Sequence, residues 1–134
     1  MQQTMNQDQV RKLIAKGNRS QGRYGKRHIK GEMNKTEESY SDILETRKLA
    51  GDIAEWFFEP CSWRYGKGAR FSADFMIVHN DGSLEFVDCK GGGPENEAAT
   101  CRGKACAEKY WFFTFSKVIK LSKKDGGGWR RQVY

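Results

Sequence analysis

At 134 residues the chain is sized for one domain, and with 37% hydrophobic and 31% charged residues it reads as a water-exposed globular chain. No apolar run approaches the roughly 20 residues that cross a bilayer, and the N-terminus lacks the apolar stretch of a secretion signal, so a cytoplasmic location without membrane association is expected. The net charge of +7 is uneven: residues 1–35 hold nine Lys/Arg against Asp8 and Glu32, while the other 99 residues hold fifteen of each sign. A basic arm on a neutral body suits either a polyanionic partner or a solubilising tail.

Residues 1–33 are polar and rich in Gly, Gln, Arg and Lys, with a short helix expected around residues 9–16 and no regular period beyond it. They are expected to form a flexible basic arm, with residues 34–134 as the folded domain. The first strong element is a helix from about Lys35 to Ala50. Asn34 can cap it, Glu37 three residues on completes a capping-box pattern, and Gly51 can close it. At 100° per residue, Glu37, Tyr40, Ser41 and Leu44 share one face.

A strand is expected at about Ala54–Glu59, stopped by Pro60. Trp63–Arg70 reads as a basic, Gly-containing loop. A hairpin follows, Phe71–His79 and Ser83–Lys90, around Asn80-Asp81-Gly82. Gly91-Gly92-Gly93-Pro94 breaks the chain before a helix from about Glu95 to Lys109. Tyr110–Ser116 reads as an aromatic strand continuing toward Leu121, and Lys123–Tyr134 as a Gly-rich loop with a basic tail or edge strand. Trp111, Phe112, Phe113 and Phe115 are expected in the core, and His79 on the polar surface. The order αβββαβ implies an α/β fold of the α+β mixed-sheet kind, with helices packed on a small mixed sheet.

The hairpin register follows from the turn. A three-residue loop ending in Gly82, in the left-handed bulge position, places His79 opposite Ser83. Val78 then faces Leu84, Met76 faces Phe86 and Asp74 faces Asp88, with Lys90 one pleat further on the same face. A two-residue loop would pair Val78 with Glu85 and mix the faces, so the apolar pattern selects the first register. Opposed like charges are destabilising at the roughly 4.5–5.5 Å between facing Cβ atoms. A cation between them would offset this, and oxygen ligands suit Mg²⁺ or Mn²⁺. Lys90 beside them can orient or deprotonate a water and offset phosphorane charge, a site for metal-assisted phosphodiester hydrolysis. The plainer alternative is a Lys90–Asp88 ion pair at a sheet end. The four cysteines lack the spacing of a zinc site and are expected as reduced thiols.

Asp74 followed by Asp88-Cys89-Lys90 resembles the core of the PD-(D/E)xK nucleases, the restriction-endonuclease-like fold. The likeness extends through Arg23-Tyr24-Gly25-Lys26, Asn34-Lys35-Thr36-Glu37, Leu49-Ala50-Gly51-Asp52-Ile53, Glu59-Pro60 and Phe86-Val87-Asp88-Cys89-Lys90-Gly91 to short phage-encoded nucleases and resolvase-like proteins of that class. It covers about residues 23–120. Two positions depart from the pattern: Ala73 stands where the family has Pro, and Asp88 where Glu is common. The resemblance implies an αβββαβ core and a metal-dependent DNA endonuclease, with branched or junction DNA among its substrates. The catalytic residues would be Glu37, Asp74, Asp88 and Lys90. Asp74, Asp88 and the Cys89 backbone carbonyl would hold the metal, with Glu37 reaching it through water. Arg23, Lys26, Arg27, Lys30, Arg102 and Lys104 would contact DNA, and a homodimer is a further option. The alternative is a catalytically inactive nuclease fold that binds nucleic acid, or a phage accessory protein.

Overall fold

The computed structural model describes residues 29–134; the basic arm's expected short helix and Arg23, Lys26 and Arg27 lie outside the described residues. Residues 31–134 form one compact α+β unit. Helix α1 (Lys35–Leu49) begins as its sequence dictates: the Asn34 side chain accepts from the backbone N–H of Thr36 and Glu37, and the Glu37 carboxylate accepts from Asn34 N. It buries Glu37, Tyr40 and Leu44 on one face.

The chain then forms β1 (Glu55–Phe58), β2 (Ser62–Gly66), β3 (Ala69–Ser72), β4 (Phe75–Val78) and β5 (Leu84–Lys90). Helix α2 (Glu97–Lys109) crosses over to β6 (Thr114–Lys120), and a 3₁₀ turn at Lys123–Asp125 leads to β7 (Trp129–Val133). The main sheet runs β1-β4-β5-β6-β7 and the small one β2-β3. Every pairing is antiparallel except β5 with β6, where α2 makes the crossover that a parallel pair requires.

The β4–β5 register is the one the turn and the apolar pattern select: Val78 pairs with Leu84, Met76 with Phe86 and Phe75 with Val87. Gly82 sits at φ +85° and closes the turn with its N–H on the His79 carbonyl. Because side chains alternate, the main sheet presents two unlike faces. Tyr40, Leu44, Ile53, Phe75, Ile77, Val87 and Val118 make the core beneath α1. Phe71, Ala73, Phe86, Cys106 and Phe115 make the core beneath α2 and the small sheet.

Two expectations fail here. Trp63–Arg70 is not a loop but most of a hairpin, turning at Lys67-Gly68 with Gly68 at φ +71°. Trp63 and Tyr65 alternate with Arg64, so the aromatics pack inward on the second core while Arg64 stays in water. The run Tyr110–Phe113 is not strand: α2 continues to Lys109, and the next residues turn the chain back before β6 starts at Thr114. Phe113 and Phe115 join the core, whereas Trp111 and Phe112 are 78% and 60% exposed.

Candidate active site

The site occupies the α2 side of the main sheet at the C-terminal end of β5. Asp74 lies just before β4, its backbone N–H on the Val87 carbonyl, and one carboxylate oxygen accepts from Cys89 N–H at 2.7 Å. Asp88 is buried on β5, with its Oδ2 2.7 Å from the Lys90 ammonium. The register thus brings Asp74, Asp88 and Lys90 together. Burial pushes the Asp74 carboxyl well above the usual carboxylate range, and the facing Asp88 and then Glu37 push it further. The Cys89 thiol, on the opposite pleat against the α1 core, is likewise pushed up by burial and by the neighbouring Asp74, Asp88 and Glu37 carboxylates. It is held as an inert thiol, and all four cysteines are free.

Glu37 is buried in the first turn of α1, near enough for its charge to act on Asp74. Its Oε2 is committed to Asn34 N at 2.9 Å, so the capping box holds it in place beside the pair. Arg102 and Lys104 are exposed on α2, and Lys30 is exposed ahead of α1.

Three groups at this site have no local mark in the sequence. Lys117 on β6 is the in-register partner of Asp88, and its side chain is only 3% exposed. Its ammonium bonds Glu95 and, at 3.2 Å, the Thr100 hydroxyl. Tyr134 packs on Gly103 of α2, and its buried hydroxyl lies near Asp88 without a well-formed hydrogen bond among the described residues. Burial raises its pKa, as do the nearby Asp88 and Asp74. Recognising these positions requires knowing that β5 and β6 run parallel.

The donors fit a hard divalent cation. Mg²⁺ is held by one or two carboxylates and keeps several waters, and the site offers two facing carboxylates. Among the described residues no group of three or more His, Cys, Asp or Glu side chains converges as a cage. A cation here would therefore rest on Asp74 and Asp88, with waters completing its shell.

On the other sheet face, His79 is not free surface. Its Nε2 lies 2.8 Å from Glu85, a buried carboxylate that also accepts from Ser116 and Arg131. Their hydrogen bonds outweigh the cost of burial and hold Glu85 below the usual carboxylate range.

No helix among the described residues is long and apolar enough to cross a membrane. No family model, curated protein or solved structure matches the chain at a significant level.

Proposed function

We propose that the chain is an Mg²⁺- or Mn²⁺-dependent DNA endonuclease. The observation that supports this most is the pair Asp74 and Asp88: two carboxylates face each other in a partly dehydrated corner, and the charge of one drives up the pKa of the other. Such a pair is costly without a cation and useful with one.

In this reading Cys89 N–H fixes the Asp74 carboxylate, and Asp88 orients the Lys90 ammonium. The Lys90 ammonium orients the attacking water by a hydrogen bond, the proton of that water leaves to solvent, and the ammonium offsets the negative charge that develops on the phosphoryl oxygens. Glu37 adds negative potential from the α1 side and reaches the site through water. A bound Mg²⁺ or Mn²⁺ would supply Lewis-acid polarisation of the phosphate. The basic residues of the N-terminal segment suit a DNA backbone, whose phosphates set most of the salt-dependent affinity.

The test is incubation with linear, nicked, single-stranded and four-way-junction DNA, with Mg²⁺ or with EDTA. Cleavage that needs Mg²⁺ and is lost in Asp88→Asn, with the fold intact by circular dichroism, is the expected result. Absence of cleavage on all four substrates, or cleavage that survives exhaustive chelation, refutes the assignment. The short Lys90–Asp88 contact also suits an inactive nuclease fold in which this is a plain ion pair. That protein would bind DNA and never cut it.

A further inference from the structure

A cavity of about 380 Å³ opens beside the carboxylate pair, walled by Lys90, Lys117 and Arg130 from three neighbouring strands and by Glu95 and Thr100 from the loop and start of α2. The pleat explains the convergence. Asp88 pairs with Lys117, Lys90 with Ile119 and Ile119 with Arg130, so all these side chains leave the same sheet face.

Lys117 is the unusual member. A buried ammonium is expensive unless a counter-ion is built in beside it, and the adjacent strand carries Asp88 in register. Yet Lys117 bonds Glu95, whose side chain is 62% exposed and comes from the loop after Gly91-Gly92-Gly93-Pro94. Arg130 and Lys104 also act on Glu95, and together with Lys117 they hold its carboxyl below the usual range. One exposed carboxylate therefore sits among several cations, and the cavity keeps an excess of positive charge. The N-terminus of α2, capped by Asn96, adds its partial positive charge at the same wall.

We propose that this cavity is a phosphate pocket, in which Lys117 and Arg130 grip a phosphate group and Glu95 occupies that place until the phosphate displaces it. This rests on the nuclease reading only for the identity of the ligand, a phosphate of the strand being cut. The pocket itself is a matter of charge and space. It makes Lys117 and Arg130 substrate-holding residues next to the reacting centre and Glu95 an internal competitor.

The experiment measures binding in EDTA, where no cutting occurs, with inorganic phosphate as one probe and an unphosphorylated duplex oligonucleotide as the other. Wild type is compared with Glu95→Gln, Lys117→Met and Arg130→Gln; the last changes an exposed side chain and keeps the reading open if Lys117→Met does not fold. Glu95→Gln should tighten binding by about threefold to tenfold, the scale of one partly exposed ion pair plus the repulsion it removes. Lys117→Met and Arg130→Gln should weaken it by at least as much. Tightening for the duplex alone assigns the pocket to a backbone diester, and tightening for inorganic phosphate as well assigns it to a terminal phosphate. Glu95→Gln binding that is unchanged or weaker for both probes overturns the proposal. A protein that shows these shifts but cuts no DNA with Mg²⁺ loses the nuclease reading and keeps the pocket. One that cuts DNA with no response to Glu95→Gln loses the pocket alone.

Discussion

Replacing Asp88 by Asn should leave the metal-free protein at least as stable as before at alkaline pH, while removing its response to Mg²⁺. Burial and the facing Asp88 push Asp74 from 3.8 up to about 8. A carboxyl whose pKa is higher folded than unfolded favours folding while protonated, and that support is lost as pH rises through the folded value. The apo protein should therefore lose stability across the window from 3.8 to about 8. At about 1.36 kcal/mol per pKa unit, half of that rise already corresponds to a loss on the order of 3 kcal/mol. Asp88→Asn removes the second and third causes but not the first, so the slope should flatten and not vanish. Against this stands the lost charge of the Lys90–Asp88 pair, about 0.5–1 kcal/mol for a half-exposed lysine whose hydrogen bond an amide oxygen can still accept. The net expectation is a melting temperature equal to or a few degrees above wild type at pH 8–9 in EDTA, at roughly 4–8 °C per kcal/mol. Mg²⁺ at tenfold its dissociation constant should stabilise wild type by about 1.4 kcal/mol, roughly 6–11 °C on the same scale, and should do little for the variant. Thermal melts across pH, with Mg²⁺ or EDTA, measure both effects. A variant that loses more than about 2 kcal/mol without metal, or that gains as much from Mg²⁺ as wild type, would show that Asp88 is a structural partner and refute the argument.

Glu85→Ala should behave in the opposite way, destabilising by about 3–5 kcal/mol at neutral pH, because His79, Ser116 and Arg131 all lose their common acceptor. Since the Glu85 pKa is depressed, its support is present above the ordinary carboxylate range and fades as pH falls through the lowered value, so urea titrations of wild type and variant should converge in acid; a loss below about 1 kcal/mol would count against the network. Gly103→Ala would drive a Cβ into the Tyr134 ring. Overpacking of about 1–3 kcal/mol outweighs the helix propensity gained, for a net loss of about 1 kcal/mol. Tyr134→Ala should reverse that loss in the double variant, and a stabilised single variant would place the ring elsewhere.

What could be read locally was read from the sequence. The α1 start rests on Asn34 and Glu37, four positions of one chain segment, and the hairpin register rests on Gly82 and the alternation on either side of it; both arise within about ten residues. The Asp74–Asp88–Lys90 grouping followed because a register, once set, places every later side chain. The small-sheet hairpin escaped because its turn, Lys67-Gly68, lies among basic residues and a second glycine that also suit a loop. Trp111 and Phe112 escaped for a different reason. Five aromatics in six residues favour a strand by propensity, but α2 needs those residues to reverse direction before β6. Lys117, Glu95 and Tyr134 had no local signal at all. Lys117 and Tyr134 come up to Asp88, and Glu95 to Lys117, through the parallel crossover and the edge strand that follows it, and tertiary pairing of that range is invisible to patterning.

Strand β5 carries two buried acids, Glu85 and Asp88, three residues apart and so on opposite faces. The comparison between them is internal to one sheet, so strand propensity and overall charge cannot account for the difference. Glu85 is surrounded by three donors, two of them basic side chains, and its pKa falls despite burial. That is how a sheet accommodates a carboxylate whose task is structural. Asp88 meets the Lys90 ammonium and a second carboxylate, Asp74, turned toward it, which accepts from Cys89 N–H. Burial, and then the facing Asp88, push the pKa of Asp74 up instead. Lys117, in register with Asp88 on the neighbouring strand, bonds Glu95 instead. In the proposed reading this carboxylate corner would take up a cation, and the positively charged cavity next to it an anion. Under that proposal a divalent metal and a phosphate would satisfy both needs at once.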